Sequence, residues 1–184
     1  NIAVVGVGGR GRGHLGSYKN MKDVEVTWAV DPDQRRAKDA PNTTSDLRKA
    51  LEDKNLHAIS VATPNHWHSL SVILAAQAGK HCYVEKPASH DIYEGRVALE
   101  AAKKYGVVVQ HGTQQRSSQG RADMMKAIHS GKYGKLAVAH GFCCKPRGSI
   151  GFKEPEAPPE WLDWDMFQGP APEPDLAIGP ARYR

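Results

Sequence analysis

An apolar run of strand length, Ile2 to Val7, ends in GVGGRG at positions 6–11, and a helix-compatible stretch follows directly. That junction restricts what the chain can fold into more than any other part of it. Gly6, Gly8 and Gly11 have the GxGxxG spacing, which reads as a strand, a tight turn and a helix start. Gly6 permits the turn, Gly8 leaves the backbone open to a close ligand, and Gly11 lets the helix pack tightly on the strand. Gly9, Arg10 and Arg12 fall in the loop and first helical turn, where backbone N–H groups point at an anion. The pattern predicts a site for the pyrophosphate of a dinucleotide. A second strand, Val24 to Val30, ends in Asp31, about the ~20-residue distance expected for a carboxylate that binds adenosine ribose hydroxyls. An acid there repels a 2′-phosphate, so NAD is favoured over NADP, although Arg35 and Arg36 lie near enough to serve that phosphate.

Strands and helices alternate through the next hundred residues. Leu47 to Glu52 reads as a short helix, His57 to Thr63 as a strand, His66 to Ala78 as a helix closed by Gly79, and His81 to Glu85 as a strand. Ile92 to Tyr105 continues as a helix ended by Gly106, and Val107 to Gln110 as a strand. Alternation with continuous apolar strands predicts an α/β fold, a Rossmann-type doubly wound parallel sheet covered on both faces, over residues 1–118. Ligands bind at the carboxyl ends of such strands. The loops that begin there are Gly8 to Arg12, Asp31, Thr63 to His68, Glu85 to Pro87 and His111 to Arg116.

Composition narrows the function classes. A chain of 184 residues can bury one sizeable core and the beginning of another. Its 25 basic and 20 acidic residues show no dense basic run with interleaved aromatics, which argues against nucleic acid as a partner. No stretch approaches the ~20 apolar residues of a membrane span. The chain opens in its first strand without an initiator Met, which suggests trimming, so its location is left between the cytoplasm and, if a leader was removed, the periplasm. Three cysteines, Cys82, Cys143 and Cys144, form neither a disulfide framework nor a zinc spacing and are expected to be buried, reduced thiols.

A helix near Arg121 to His129 and a turn at Gly131 to Gly134 lead to Lys135 to Cys144, which reads as a strand. The texture then changes, with eight of the twelve prolines in the last forty residues. This Pro-rich stretch has no periodicity, yet Trp161, Trp164 and Phe167 would not stay in water, so it is expected to pack on something, which the rest of this chain need not supply.

Taken together, the strand with GVGGRG, ATPNHWH at 62–68, AGKHCYVEKP at 78–87, QHGTQQRS at 110–117 and DWDMFQGPAP at 163–172 resemble the glucose-fructose oxidoreductase, inositol dehydrogenase and rhizopine-catabolism (Gfo/Idh/MocA) family. EKP is the most specific part, and the chain looks most like the branch from bacteria that handle complex glycans. The resemblance implies a second α+β domain on an open antiparallel sheet, beginning at 119–184 and truncated here, which carries the substrate pocket and a homo-oligomer contact in the full-length protein. It also implies that a histidine beyond Arg184 works with Lys86. Two departures stand out: only a short stretch separates Asp31 from Asp46, which leaves the adenine side more open, and His57 stands where many relatives have an aspartate.

The resemblance implies roles for single residues. Lys86 would be the general acid/base, and Pro87 would follow a cis peptide that aims it. A cationic nicotinamide and partial burial would both lower a lysine's pKa. Glu85 would orient Lys86, touch the nicotinamide ribose, or make a plain salt bridge. Thr63, Pro64, Asn65 and His68 would face the ribose and nicotinamide, with Trp67 as a wall, and Asn65 also suits a helix N-cap. Gln114 would lie near the carboxamide. Arg116 would touch substrate or make a domain-interface ion pair. His66 and His68, two apart at a helix start, point away from each other, so no metal site is expected. His129 and His140 receive no role.

Three classes of function follow. The first is an NAD(P)-dependent oxidoreductase acting on CH–OH groups of a sugar, cyclitol or other small polyhydroxylated substrate. The second is an NAD-dependent glycosidase of the alpha-N-acetylgalactosaminidase type, which the lysine of EKP disfavours. The third is a non-catalytic NAD-binding module.

Overall fold

In the computed structural model residues 1–144, 146, 148–149 and 157–172 are described. The rest of the Pro-rich stretch, including 150–156 and 173–184, lies outside the described residues, and part of the expected second domain falls there. Residues 1–112 group with the segment at 157–172 into one compact unit, and a second unit begins at Thr113.

The first unit is built on six strands: β1 (Ile2–Val5), β2 (Val26–Val30), β3 (Asn42–Thr44), β4 (Ala58–Val61), β5 (His81–Glu85) and β6 (Val109–Gly112). Their order is β3-β2-β1-β4-β5-β6, and every neighbouring pair is parallel. This is the doubly wound order, whose direction reverses between β1 and β4. Alternate residues of β1 show why both faces need cover. Ala3 and Val5 pack into a cluster with Leu47, Ile59, Val72 and Ala98, whereas Ile2 and Val4 pack with Leu15 and Ala29. Each fully buried Val, Leu or Ile contributes roughly 1.5–3 kcal/mol, so a strand apolar on both sides is stable only between two helical layers.

The layers are α1 (Gly9–Lys19) on one face and α2 (Leu47–Leu51), α3 (His68–Gln77) and α4 (Ile92–Tyr105) on the other. Local chemistry sets their ends. Asp46 and Asp91 accept the Arg48 and Glu94 N–H groups as N-caps, and Gly106 at φ 66° closes α4 in the left-handed region. α3 starts from a 3-10 turn at Asn65–Trp67 in which Asn65 makes no side-chain cap, so the N-cap reading of Asn65 is not met. In the second unit, α5 (Gln119–His129) follows a 3-10 turn at Gln115–Ser117.

Two expectations are corrected. Residues 135–144 form no strand: Leu136, Val138 and Phe142 are exposed, and a strand persists only with a ladder partner, which the described residues do not offer. Cys143 and Cys144 are exposed, and of the three thiols Cys82 alone is buried, its pKa pushed up to about 12 by burial. The short stretch after Asp31 contains β3, which its polar sequence did not reveal, and it crosses to β3 through turns rather than a helix.

Two glycines of α1 separate packing from propensity. A Cβ on Gly11 would overlap the Gly6 carbonyl, whereas one on Gly13 meets nothing within 4 Å. Gly11→Ala is therefore expected to lose ~3 kcal/mol or more in urea denaturation, and Gly13→Ala to gain ~0.5–1 kcal/mol.

Candidate functional site

A cavity of about 360 Å³ opens at the carboxyl ends of the strands, beside the reversal point. Its floor is the turn after β1, with Gly6, Gly8 and Gly9. Gly6 has φ 79°, and a Cβ there would lie 2.8 Å from the backbone of Ala62 and Thr63, so a side chain would push β4 away. Nothing stands within 4 Å of a Cβ on Gly9, so the start of α1 is free to receive an anion. The guanidinium of Arg36 lies over Gly8, its Nη1 2.6 Å from the Cβ position, and brings positive charge to the same turn.

The side walls come from β2 and β4. Asp31 is buried and doubly engaged: Oδ2 accepts the Val7 N–H and Oδ1 accepts the Asp33 N–H, both at 2.9 Å. Burial raises its pKa, and the two backbone N–H bonds oppose that rise. Each oxygen keeps a lone pair for a sugar hydroxyl, because a carboxylate offers about four acceptor sites. Buried Asp33 is paired with Arg35 and Arg36, and the Arg35 bond holds its carboxyl below the usual range. Thr63, Pro64 and Trp67 line the opposite wall. The Thr63 hydroxyl is buried with no hydrogen-bond partner among the described residues, which suits a wall that meets a polar ligand. A glycine floor, a buried carboxylate and an unpaired hydroxyl fit a dinucleotide.

Beyond the reversal point, β5 ends in Glu85 and Lys86. Buried Glu85 accepts from Arg10 Nε and His14 Nε2, each at 3.1 Å, so it makes an ion pair with Arg10. The chain of partners continues inward: Ser60 Oγ lies 2.9 Å from His14 Nδ1 and accepts from the Tyr18 hydroxyl at 3.2 Å. One assignment satisfies every group: Tyr18 donates to Ser60, Ser60 to Nδ1, and Nε2–H to Glu85. The reading of the sequence missed His14, although its spacing from Tyr18 puts both on one helical face.

Lys86 lies just past the last sheet pairing of β5, Glu85 with Gly112, and is therefore exposed rather than partly buried. The peptide to Pro87 is cis. Buried His68 does not line the cavity: its ring nitrogens face the carbonyls of Thr63, at 3.0 Å, and Pro87, so it joins the loops after β4 and β5. Arg10 and Arg12 are exposed on α1, and Asn65 is exposed beside His66. Gln114, at φ 39°, and exposed Arg116 belong to the second unit. His90, Asp91 and Glu94 bring potential metal ligands together, but both carboxylates already cap α4, Asp91 at Glu94 N and Glu94 at His90 N.

The segment at 157–172 packs on this chain. Leu162 is buried and bridges Asp33, the Asp163 N–H donates to the Pro32 carbonyl at 3.0 Å, and Ser45 Oγ donates to Asp163 Oδ2 at 2.7 Å. The Arg35 guanidinium sits 3.3 Å above the Trp161 ring. A short helix, α6 (Trp164–Gln168), unforeseen in this Pro-rich stretch, is capped by Asp163 and carries Met166 and Phe167 into the cavity lining.

Fold and cradle define a dinucleotide-binding domain of the Rossmann type. Residues 1–113 match the Gfo/Idh/MocA family model, described as an oxidoreductase family with an NAD-binding Rossmann fold. The chain belongs to that family and carries its NAD-binding Rossmann domain. It is 31% identical over 144 residues to scyllo-inositol 2-dehydrogenase (NAD(+)) of Bacillus subtilis, covering 72% of this chain and 42% of that one. It is 26% identical over 200 aligned positions to levoglucosan dehydrogenase of Pseudarthrobacter phenanthrenivorans, covering all of this chain and 50% of that one. The crystal structure of GenD2 from gentamicin A biosynthesis in complex with NAD superposes with a TM-score of 0.68 at 28% identity, over 71% of this chain and 39% of that one. The chain thus spans half or less of the length of these proteins.

Burial pushes the His14 pKa below 6.5, and the Glu85 bond offsets part of that shift. The folded state therefore binds this proton more weakly than the unfolded chain. Stability should be complete above pH 6.5 and fall as pH drops below it toward the folded-state pKa. Chemical denaturation between about pH 5 and 8 should show this slope, and His14→Gln should flatten it.

Proposed function

We propose that the full-length protein is an NAD-dependent oxidoreductase that moves hydride between the nicotinamide and a carbinol carbon of a polyhydroxylated ring, a sugar or cyclitol. The observation that carries this reading is the setting of Lys86. It follows buried Glu85, which is tied to Arg10 and His14 of the phosphate-turn helix, and precedes Pro87, whose carbonyl is tied to His68. The backbone on both sides of the lysine is held, and the lysine itself is exposed. The two dehydrogenases similar to this chain are named for levoglucosan and scyllo-inositol, which points to a polyhydroxylated ring as substrate.

Bound NAD supplies the hydride acceptor. In the oxidation direction Lys86 takes the hydroxyl proton as the C–H electron pair leaves with its hydrogen and the carbon–oxygen double bond forms. The turn at Gly6, Gly8, Gly9 and Gly11, with Arg10 and Arg12, meets the pyrophosphate. Asp31 receives the adenosine ribose hydroxyls, and Thr63, Pro64 and Asn65 face the cofactor from β4. His68 positions the loops that carry these groups. Gln114 is assigned to the carboxamide and Arg116 to substrate. Residues from 119 onward open a substrate domain that also forms the homo-oligomer contact.

In the full-length protein Lys86→Ala should lower kcat by ~10²–10⁴ and leave the NAD dissociation constant within a few-fold. Equal loss of both in steady-state kinetics and calorimetry would make the lysine a cofactor anchor instead. Asp31→Ala should narrow the preference for NAD over NADP and, because it frees two backbone N–H groups, also lower stability by ~1–3 kcal/mol. An unchanged cofactor ratio would reject its ribose role.

A further inference from the structure

We propose that residues 161–169 form the adenine-facing wall of the NAD site, with Phe167 and Met166 as the contacting side chains. The inference rests on the NAD reading of the cleft and names a part of the cofactor site that lies far from the glycine turn in sequence. Strand order shows which half of the cofactor is involved. The cavity draws its lining from the loops after β1, β2, β3 and β4, including Ser45 and Leu47, whereas Lys86 follows β5 on the other side of the reversal point. With the pyrophosphate on the glycine turn and hydride transfer beside β5, the adenosine half falls to this cavity, on the β2 and β3 side of the reversal point. Met166 and Phe167 are in the cavity lining, Phe167 beside His66 of the loop after β4.

Three observations support a built wall rather than a chance contact. Its anchors are the cofactor loops themselves: Pro32 and Asp33 after β2, Ser45 after β3, and His66 after β4, whose Nε2 lies 2.9 Å from the Phe167 carbonyl. The end of α6 is shaped to the opposite wall, because Gly169, at φ 51°, packs on the Trp67 indole where a Cβ would overlap the ring. The wall also stands where the fold is thinnest, since the short passage from β2 to β3 has no helix to cover the purine. A purine presents flat apolar faces and polar edges, and a Phe ring and a Met thioether suit the faces. Arg35, stacked on Trp161, fastens the segment to the acid pair that begins at Asp31.

The test is calorimetry of the full-length protein with NAD and with ADP-ribose, which lacks the nicotinamide. Phe167→Ala should weaken both ligands by the same factor, about tenfold or ~1.4 kcal/mol, while Phe167→Leu, which keeps an apolar wall, should lose less than half of that. Thermal melts without ligand check that the variants fold, and if Phe167→Ala does not, Met166→Ala is read in the same way. Unchanged affinity in a folded variant would overturn the proposal, as would tighter binding, which would make the segment a plug. If the parent protein binds neither ligand, the NAD reading fails instead.

Discussion

The contact of α1 with the turn after β1 governs much of this molecule. Gly11 lies against the Gly6 carbonyl with no room for a single methyl group, and a Cβ on Gly6 would in turn lie 2.8 Å from the backbone after β4. Three chain segments therefore meet backbone to backbone at the point where the strand order reverses. This closeness leaves Gly9 facing open space at the head of the helix. It also puts the Val7 N–H within reach of Asp31, so the acid that ends β2 is fixed by the same turn it helps to close. Further along α1, His14 and Arg10 reach Glu85, and the geometry of the glycine turn is passed on to the strand end that carries Lys86.

Much of the parallel sheet was legible in the sequence because its signals are local and strong. β5 and α4 fall on their expected bounds, β1, β2, β4 and β6 within a few residues, and the glycine turn where its spacing put it. What was not legible has physical reasons. β3 is three polar residues at the sheet edge, Asn42–Thr44, where neither alternation nor an apolar run exists to be read. α6 is one turn and a half between prolines, with Asp163 as its N-cap the sole local sign. Conversely, the apolar residues of 135–144 carry strand propensity, but propensity without a partner makes no ladder. The polar network of His14, Ser60, Tyr18 and Glu85 escaped because apolar periodicity says nothing of buried polar groups that satisfy one another.

The short passage after Asp31 and the late aromatic segment looked like separate oddities in the sequence. In the fold they are complementary. Where a helix would ordinarily cross between β2 and β3, Leu162 and Asp163 lie on Asp33 and Pro32, and Trp161 lies under Arg35. Arg35 and Arg36 themselves are drawn to buried Asp33, so their charge neutralises an internal acid while the end of Arg36 still reaches the glycine turn.

This arrangement also bears on how the molecule is made. Synthesis delivers the chain from its first residue onward, and domains fold as units while they emerge. All six strands have left the ribosome once Gly112 has appeared, so the sheet and the glycine turn can form at that stage. The cavity lining is not complete until Phe167 arrives, after the whole of the second unit's α5 has been made. A nascent chain therefore has a sheet before it has a closed cavity, and the cavity is finished by a segment that must return to loops laid down at the start.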